Sequence, residues 1–452
     1  MGEATLTFYG GVNEIGGNKI LLKDGKAKVF FDFGQSFTMR DGFFTGSFEP
    51  RWICGLKDYF EFDMIPKIRG LYGEKQLMYS DLRYSKPSFD AVFLSHAHFD
   101  HTAHVRFLNE QIPVLCGSGT KLFLESMEET SYFSSLGEHP YRTFRTGDVV
   151  EVGPLRVEPV HVDHSIPGAY GFIIHTSKGN VVYTGDVRAH GPKREMTEEF
   201  IAKACECKPI ALICEGTRIV ENRPRTNYSE REVKEKSNDV VLGTDRIVFV
   251  THHGRDVDRF RTMYEVARQN SRKMVIFPRL AYLLKKLVED EHLDFPDPLK
   301  DDSVLIYFRR KKSGNFVEED YYLWEREFMQ KMVTADDVHK DQGGLVMDLD
   351  FYQFGELIDI KPEKGSHFIH SMSEPFSEED IEDQVMHNWL DHFKIKFHQL
   401  HASGHMNRQE LIEMVRRVNP KRVFPVHTEN PAYFKKTKKK TVVIKKGKSY
   451  AL

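Results

Sequence analysis

Six residues, His96-Ala97-His98-Phe99-Asp100-His101, follow directly on Ser95 and on Phe89-Asp90-Ala91-Val92-Phe93-Leu94, a run of strand formers. Imidazole and carboxylate donors on the turn after a strand are the ligand types that suit zinc or manganese. On so tight a turn, His96 and His98 point to one side and Asp100 and His101 to the other, which serves two adjacent cations better than one. The motif constrains the fold because two ions need further donors. A scaffold whose other strands end at the same place must bring those donors in.

Such donors recur behind strand-like stretches. Residues 155–160 lead into His161-Val162-Asp163-His164-Ser165-Ile166-Pro167-Gly168, where His164 is preferred over His161 for its loop position. Val181-Val182-Tyr183-Thr184 ends in Gly185-Asp186, a carboxylate able to bridge two cations. Pro209-Ile210-Ala211-Leu212-Ile213-Cys214 ends at Glu215-Gly216-Thr217. Two more imidazoles stand in Ala402-Ser403-Gly404-His405 and Val426-His427-Thr428-Glu429. Asp32, ending Lys28-Val29-Phe30-Phe31, reads as a buried carboxylate that orients a neighbouring ligand loop. Any one of these is an ordinary turn residue in isolation. Their repetition at strand ends gives the pattern its weight.

With 452 residues the chain is too long for one ordinary core, so two domains are expected. A net charge of −3 excludes a bulk polycation, so any polyanion site must be a local groove. Arg309-Arg310-Lys311-Lys312 and the lysines at 435, 436 and 438–440 are candidates for such a groove or for plain solvated faces. No apolar run is long enough to cross a bilayer, no signal peptide is evident, and five cysteines, mostly in apolar contexts, read as reduced thiols, which together predict a cytoplasmic location. Cys205 and Cys207 have no second pair to complete a zinc site. The glycine-rich stretch 10–18 lacks the strand-loop-helix context of a dinucleotide fingerprint.

Composition shifts after 217, where strands and helices alternate as in a separate α/β unit, while the flanking segments are β-rich. The expected division is 1–216, 217–375 and 376–452, with the middle unit interrupting a domain completed by the last segment. Helices are predicted at 102–111, 119–129, 229–237, 256–269, 280–291, 408–417 and 377–390, the last with Ser377 as N-cap. The β pattern is expected to resume at 393–398, and 441–450 reads as a terminal hairpin. The irregular, aromatic-rich stretch 37–85 reads as an insertion that could wall a cleft.

His96-Ala97-His98-Phe99-Asp100-His101 matches the HxHxDH signature of the metallo-β-lactamase superfamily, and Asp32, His164 and Asp186 fall where its other core motifs fall. The interruption after Glu215-Gly216-Thr217 resembles the β-CASP nuclease branch, with His405 and His427 in the places of its later motifs. Gly10-Gly11-Val12-Asn13-Glu14-Ile15-Gly16 and His401-Ala402-Ser403-Gly404-His405 resemble the ribonuclease J family, in its short archaeal form. The resemblance implies an α/β fold, a metallo-β-lactamase αββα sandwich with an inserted β-CASP domain. It implies two divalent ions, zinc or manganese: one on His96, His98 and His164, the other on Asp100, His101 and His427, with Asp186 between them. The implied activity is a metal-dependent ribonuclease acting on single-stranded RNA, a 5′-to-3′ exoribonuclease with endonuclease activity. A hydroxide shared by the two ions would be the nucleophile. Asp100, Asp186, Glu215 and His405 are its candidate catalytic residues, His405 as proton donor and Glu215 as its holder. Ser371, Ser373, Ser403, Gly404 and His405 are candidate substrate contacts for a terminal phosphate. Histidine at 427 is the residue type that RNA-cleaving branches carry. Rival readings are an endonuclease like the cleavage and polyadenylation factor and a non-nuclease hydrolase of the same fold. A homodimer is the expected assembly, with no membrane partner.

Overall fold

The computed structural model describes residues 3–131, 136–219, 228–254, 256–374 and 380–452. Among them are three seven-stranded sheets. The first takes Ala4–Gly10, Lys19–Asp24, Ala27–Phe31, Ala91–Phe93, Val114–Gly117 and Tyr141–Phe144, with Ser449–Ala451 on the edge beside Ala4–Gly10. The second runs from Lys440–Thr441 through Arg422–Val426, Ala211–Glu215, Gly179–Tyr183, Tyr170–Thr176 and Leu155–His161 to Val150–Val152.

These two sheets pack face to face, and the alternation along each strand says how. In Ala27–Phe31, Val29 and Phe31 face the second sheet, while Phe30 faces the outer layer. In Gly179–Tyr183, Val181 and Tyr183 point inward and Val182 outward. The inner layer is rich in phenylalanine: Phe31 lies 5.3 Å from both Phe93 and Phe172. The helices Arg194–Glu206 and Arg408–Val418 cover the outer face of the second sheet. The helix Ser118–Thr130 and the 37–85 segment cover the first. The result is the αββα sandwich.

The third sheet is parallel throughout, in the order Met332–Val333, Val304–Tyr307, Lys273–Ile276, Leu345–Asp348, Val248–Thr251, His367–His370, Lys396–Gln399. It belongs to the inserted β-CASP domain. Its helix Glu230–Leu242 starts on a Ser229–Glu232 capping box, and Val257–Gln269 is capped by Asp256.

Four expectations need correction. Lys396–Gln399 does not return the chain to the sandwich. It pairs in parallel with His367–His370 as the edge of the insert's sheet, and the chain rejoins the sandwich with the covering helix Arg408–Val418 and its second sheet at Arg422–Val426. The insert therefore runs past 376, to about 400. Residues 441–450 are not a hairpin, because Val442 bonds to Val423 in the second sheet while Ser449–Ala451 pairs with the first. No helix spans 102–111: a short turn, Phe99–Thr102, ends there because the following amides bond elsewhere, His104 to Phe33 and Asn109 to Leu71. The helix expected from Ser377 runs over Ile381–His392 with Asp380 as its cap; Ser377, Glu378 and Glu379 lie outside the described residues.

Candidate metal centre and active site

Each candidate ligand sits just past a strand. His96 to His101 follow Ala91–Phe93, His164 follows Leu155–His161, Asp186 follows Gly179–Tyr183, and His427 follows Arg422–Val426. Glu215 ends Ala211–Glu215. Both sheets thus deliver their side chains to one edge of the sandwich. His405 comes from the loop between Lys396–Gln399 and Arg408–Val418.

The side chains converge. His96 Nε2 and His164 Nε2 lie 2.9 and 3.1 Å from His98 Nδ1. His427 Nε2 is 2.8 Å from Asp100 Oδ2, and His101 Nε2 is 3.6 Å from the same oxygen. One oxygen, Asp186 Oδ2, is 3.6 Å from His96 Nε2, 4.0 Å from His164 Nε2, 3.2 Å from His101 Nε2 and 3.8 Å from His427 Nε2. It also lies 3.9 Å from His405 Nδ1. Three groups with donor atoms within 4.8 Å of one another result: His96, His98, His164 and Asp186; Asp100, His101, Asp186 and His427; and Asp186, Glu215 and His405.

The outward nitrogens fix what the inward ones offer. Asp32 accepts at Oδ1 from Ser95 N, and at Oδ2 from Ser95 Oγ, from His101 Nδ1 at 2.8 Å and from Tyr183 Oη at 2.5 Å. A carboxylate only accepts, so His101 carries its proton on Nδ1. Ser95 Oγ has given its hydrogen to Asp32, so it accepts from His96 Nδ1 at 3.0 Å. His164 Nδ1 donates to the Gly404 carbonyl at 2.6 Å. Thr217 Oγ1 donates to Glu215 Oε2 at 2.7 Å and so accepts from His427 Nδ1 at 2.8 Å. Four imidazoles therefore turn bare Nε2 lone pairs toward the centre, and His98 adds Nδ1. His98 Nδ1 lies 2.9 and 3.1 Å from two of them and can give a hydrogen to one at most, so the set holds more lone pairs than hydrogens and suits something positive among them. Nitrogens on one tetrahedral zinc ion would stand roughly 3.3 Å apart. His101 Nε2 and Asp186 Oδ1 are also buried with no hydrogen-bond partner. On each count the donor set fits divalent cations.

Protons alone would fill this pocket unevenly. Burial resists charge on His427, yet Asp186 and Asp100 lift its pKa to about 9. His101 is raised in the same way, against burial, by Asp186, Asp32 and Asp100. Burial pushes His164 down to about 4. A cation between the imidazoles and the carboxylates would satisfy all of them together. Glu215 Oε1 accepts from His405 Nδ1 at 3.1 Å and, against burial, raises the pKa of His405.

The remaining sequence candidates separate by placement. His161, the rival of His164, stacks on Tyr170 with ring centroids 5.0 Å apart and stands outside the cluster. Ser371 is buried; its hydroxyl donates to the Leu400 carbonyl and accepts from Arg259, and its amide is bonded to Thr251, so it has no donor left for a substrate. Ser373 is exposed at the end of His367–His370, and Ser403 Oγ accepts from the His405 amide. Gly404 serves first through its carbonyl: a Cβ there would lie 3.0 Å from His164 Cε1, so the loop can approach the imidazole this closely only with glycine. Lys311, one of the candidate backbone-tracking cations, is paired with Glu325. Ser95, Thr217 and Tyr183 were not legible as functional, since their types are common and only the folded chain puts them behind the imidazoles.

A beta-lactamase superfamily domain matches residues 62–207, and a Zn-dependent metallo-hydrolase RNA specificity domain matches residues 392–439. Ribonuclease J of Sinorhizobium meliloti is 27% identical over 364 residues, covering 77% of this chain and 59% of that protein. Ribonuclease J 2 of Streptococcus pyogenes is 23% identical over 365 residues, 76% of this chain and 60% of that one. Ribonuclease J of Helicobacter pylori 26695 is 23% identical over 457 residues, 94% of this chain and 56% of that protein. The chain thus spans less than two thirds of the length of these relatives. The crystal structure of a protein of unknown function from Enterococcus faecalis V583 superposes over the full length of both chains, with a TM-score of 0.78 and 25% identity. With two sheets delivering histidines and aspartates to a site that fits divalent metal, and a parallel-sheet domain inserted between Glu215 and the last of those histidines, the chain carries a beta-lactamase superfamily domain and is similar over most of its length to the ribonucleases J.

Proposed function

We propose that this protein is a metal-dependent ribonuclease that hydrolyses phosphodiester bonds of single-stranded RNA, working from the 5′ end and also cutting internally. The observation that carries this reading is the position of Asp186 Oδ2, within 4.0 Å of imidazole nitrogens from both ligand groups. His96, His98 and His164 would hold one divalent ion and Asp100, His101 and His427 a second, with Asp186 common to both; zinc suits the donors and manganese is the alternative. Two such ions supply an activated water and offset the charge that builds on the phosphoryl oxygens.

The chain's own residues do the rest. His405 gives its Nδ1 hydrogen to Glu215, which leaves Nε2 to carry the exchangeable proton. Its side chain is 19% exposed, and we assign Nε2 to protonating the departing 3′ oxygen. Glu215 also accepts from Thr217, which orients His427, so one carboxylate sets both the proton donor and a ligand. Ser373, Ser403 and the Gly404 amide remain candidates for holding a terminal phosphate. We place the protein in the cytoplasm, as a homodimer. No helix among the described residues is long and apolar enough to cross a membrane.

The test is incubation of 5′-labelled single-stranded RNA with and without a chelator. Labelled mononucleotide that disappears with chelator supports the exonuclease, and longer labelled fragments the internal cut. RNA that survives intact beside metal-loaded protein refutes the reading. His405→Ala should lower turnover by about 100- to 10,000-fold with metal content unchanged; parallel loss of metal would overturn its assignment as proton donor.

A further inference from the structure

Behind the metal centre lies a set of buried charges that touches no candidate ligand side chain. Arg188 and Arg259 are fully buried. Arg188 Nε donates to Asp163 Oδ1 at 2.9 Å, Nη1 to Glu230 Oε1 at 3.1 Å, and Nη2 to Asp258 Oδ2 at 2.7 Å. Arg259 donates to Glu230 from Nη2 at 2.8 Å and from Nε at 3.3 Å. Its other bonds go to the Ser371 carbonyl and hydroxyl and, from Nη2 at 3.2 Å, to the Ala402 carbonyl. Glu230 therefore joins the two guanidinium groups.

The chain positions make this arrangement informative. Arg188 follows Asp186 by two residues, and Asp163 precedes His164. The same two stretches are tied again by Arg188 N to Asp163 O at 2.9 Å, and by Thr197 Oγ1, which accepts from Asp163 N and donates to Arg188 O. Gly191 leaves room for the pair, since a Cβ there would lie 2.1 Å from Arg188 Nε. Glu230, Asp258 and Arg259 come from the two helices that open the insert. Ala402 is three residues before His405. That loop is also held by Met406 N to Val187 O at 2.8 Å and His190 Nε2 to Ser403 O at 2.9 Å. Buried ion pairs seldom out-stabilise apolar packing of the same volume, and their best-attested use is to fix register.

We propose that Arg259, through the Glu230 it shares with Arg188, is a positioning residue that sets the 402–405 loop, and so the His405 ring, against the loops bearing Asp186 and His164. This rests on the reading of His405 as proton donor. Arg259 touches neither substrate nor ion. It acts by transmitting the placement of the insert's helices to the loop, with a forked group that a single ammonium cannot replace.

Arg259→Lys keeps the charge and removes the fork. The metal-loaded full chain is assayed for metal content, for turnover of single-stranded RNA, and for turnover of the p-nitrophenyl ester of thymidine 5′-phosphate, whose leaving group departs without a proton. The expected result is unchanged metal, an RNA kcat lower by about 10- to 100-fold with KM within threefold, and nitrophenyl ester turnover within threefold of the parent. In Arg259→Lys/His405→Ala, RNA turnover should be no lower than in His405→Ala alone. Equal losses on both substrates, or losses that multiply in the double variant, overturn the proposal and leave Arg259 a plain stabilising residue. If His405→Ala by itself leaves RNA turnover intact, the proton-donor reading fails first and this inference falls with it. Should Arg259→Lys melt early, Glu230→Gln, which keeps the volume and weakens the link between the two guanidinium groups, is read by the same assays against the same outcomes.

Discussion

Replacing Asp32 by asparagine tests how much of the metal centre is built behind the ligands. The carboxylate is fully buried and accepts four hydrogen bonds, three at Oδ2 and one at Oδ1. An amide has one accepting end. Its best orientation keeps oxygen toward Ser95 Oγ, His101 Nδ1 and Tyr183 Oη and turns NH2 against the Ser95 amide. That strands one buried N–H, worth about 1–3 kcal/mol, and each of the three retained bonds loses about 1 kcal/mol when its acceptor becomes neutral. Such terms are not strictly additive, so about 3–5 kcal/mol of stability is expected to go. The His101 ring keeps only a neutral acceptor, which holds its tautomer and orientation less firmly. Mutating a partner of this kind typically costs 10- to 100-fold in cation affinity, about 1.4–2.7 kcal/mol, and the group containing His101 should weaken before the one containing His98. Competition against a chromophoric chelator reads the affinity, and urea unfolding of the metal-free protein reads the stability. Cation affinity within twofold of the parent would refute the inference that Asp32 orients the ligand shell.

Two further substitutions probe separate links. Gly404→Ala would place a Cβ 3.0 Å from His164 Cε1 and 3.2 Å from Nδ1, so the ring must shift by a few tenths of an ångström. About tenfold lower turnover at an unchanged melting temperature is expected, with Gly355→Ala, which meets nothing within 4 Å, as the silent control. Asp348 lies 3.6 Å from His252, and burial raises its pKa to about 6 from 3.8. The folded chain holds this proton more tightly than the unfolded one, so the associated stability is present below pH 3.8 and is lost as pH rises through 6. The side chain is 15% exposed, which trims the full effect to about 1–3 kcal/mol. Asp348→Asn should unfold at higher urea than the parent at pH 7 and at similar urea at pH 4; equal midpoints at pH 7 would contradict the assignment.

The candidate ligands were legible because their information is local: three imidazoles and a carboxylate crowd into six residues, and each further candidate follows an apolar run that announces a strand. What orients them was not. Ser95, Thr217, Tyr183 and the Gly404 carbonyl are ordinary groups that gain a role only when 63 to 240 residues of chain fold back between partners, as from Asp32 to Ser95 or from His164 to Gly404. The same limit explains the boundary at 376. The alternation at 393–398 identifies a strand but not its sheet, and the neighbour it chose is His367–His370 across a parallel crossover. The terminal residues failed similarly, since a turn at Lys446-Gly447 looks the same whether its arms pair with each other or diverge to two sheets. Helical periodicity at 102–111 lost to tertiary bonds from His104 to Phe33 and Asn109 to Leu71.

The bond between Asp100 and His427 spans 327 positions of chain. A polypeptide still emerging from the ribosome has His96, His98 and His101 long before it has His427, so the cluster stays incomplete until that residue has been added and Arg422–Val426 has taken its place in the second sheet.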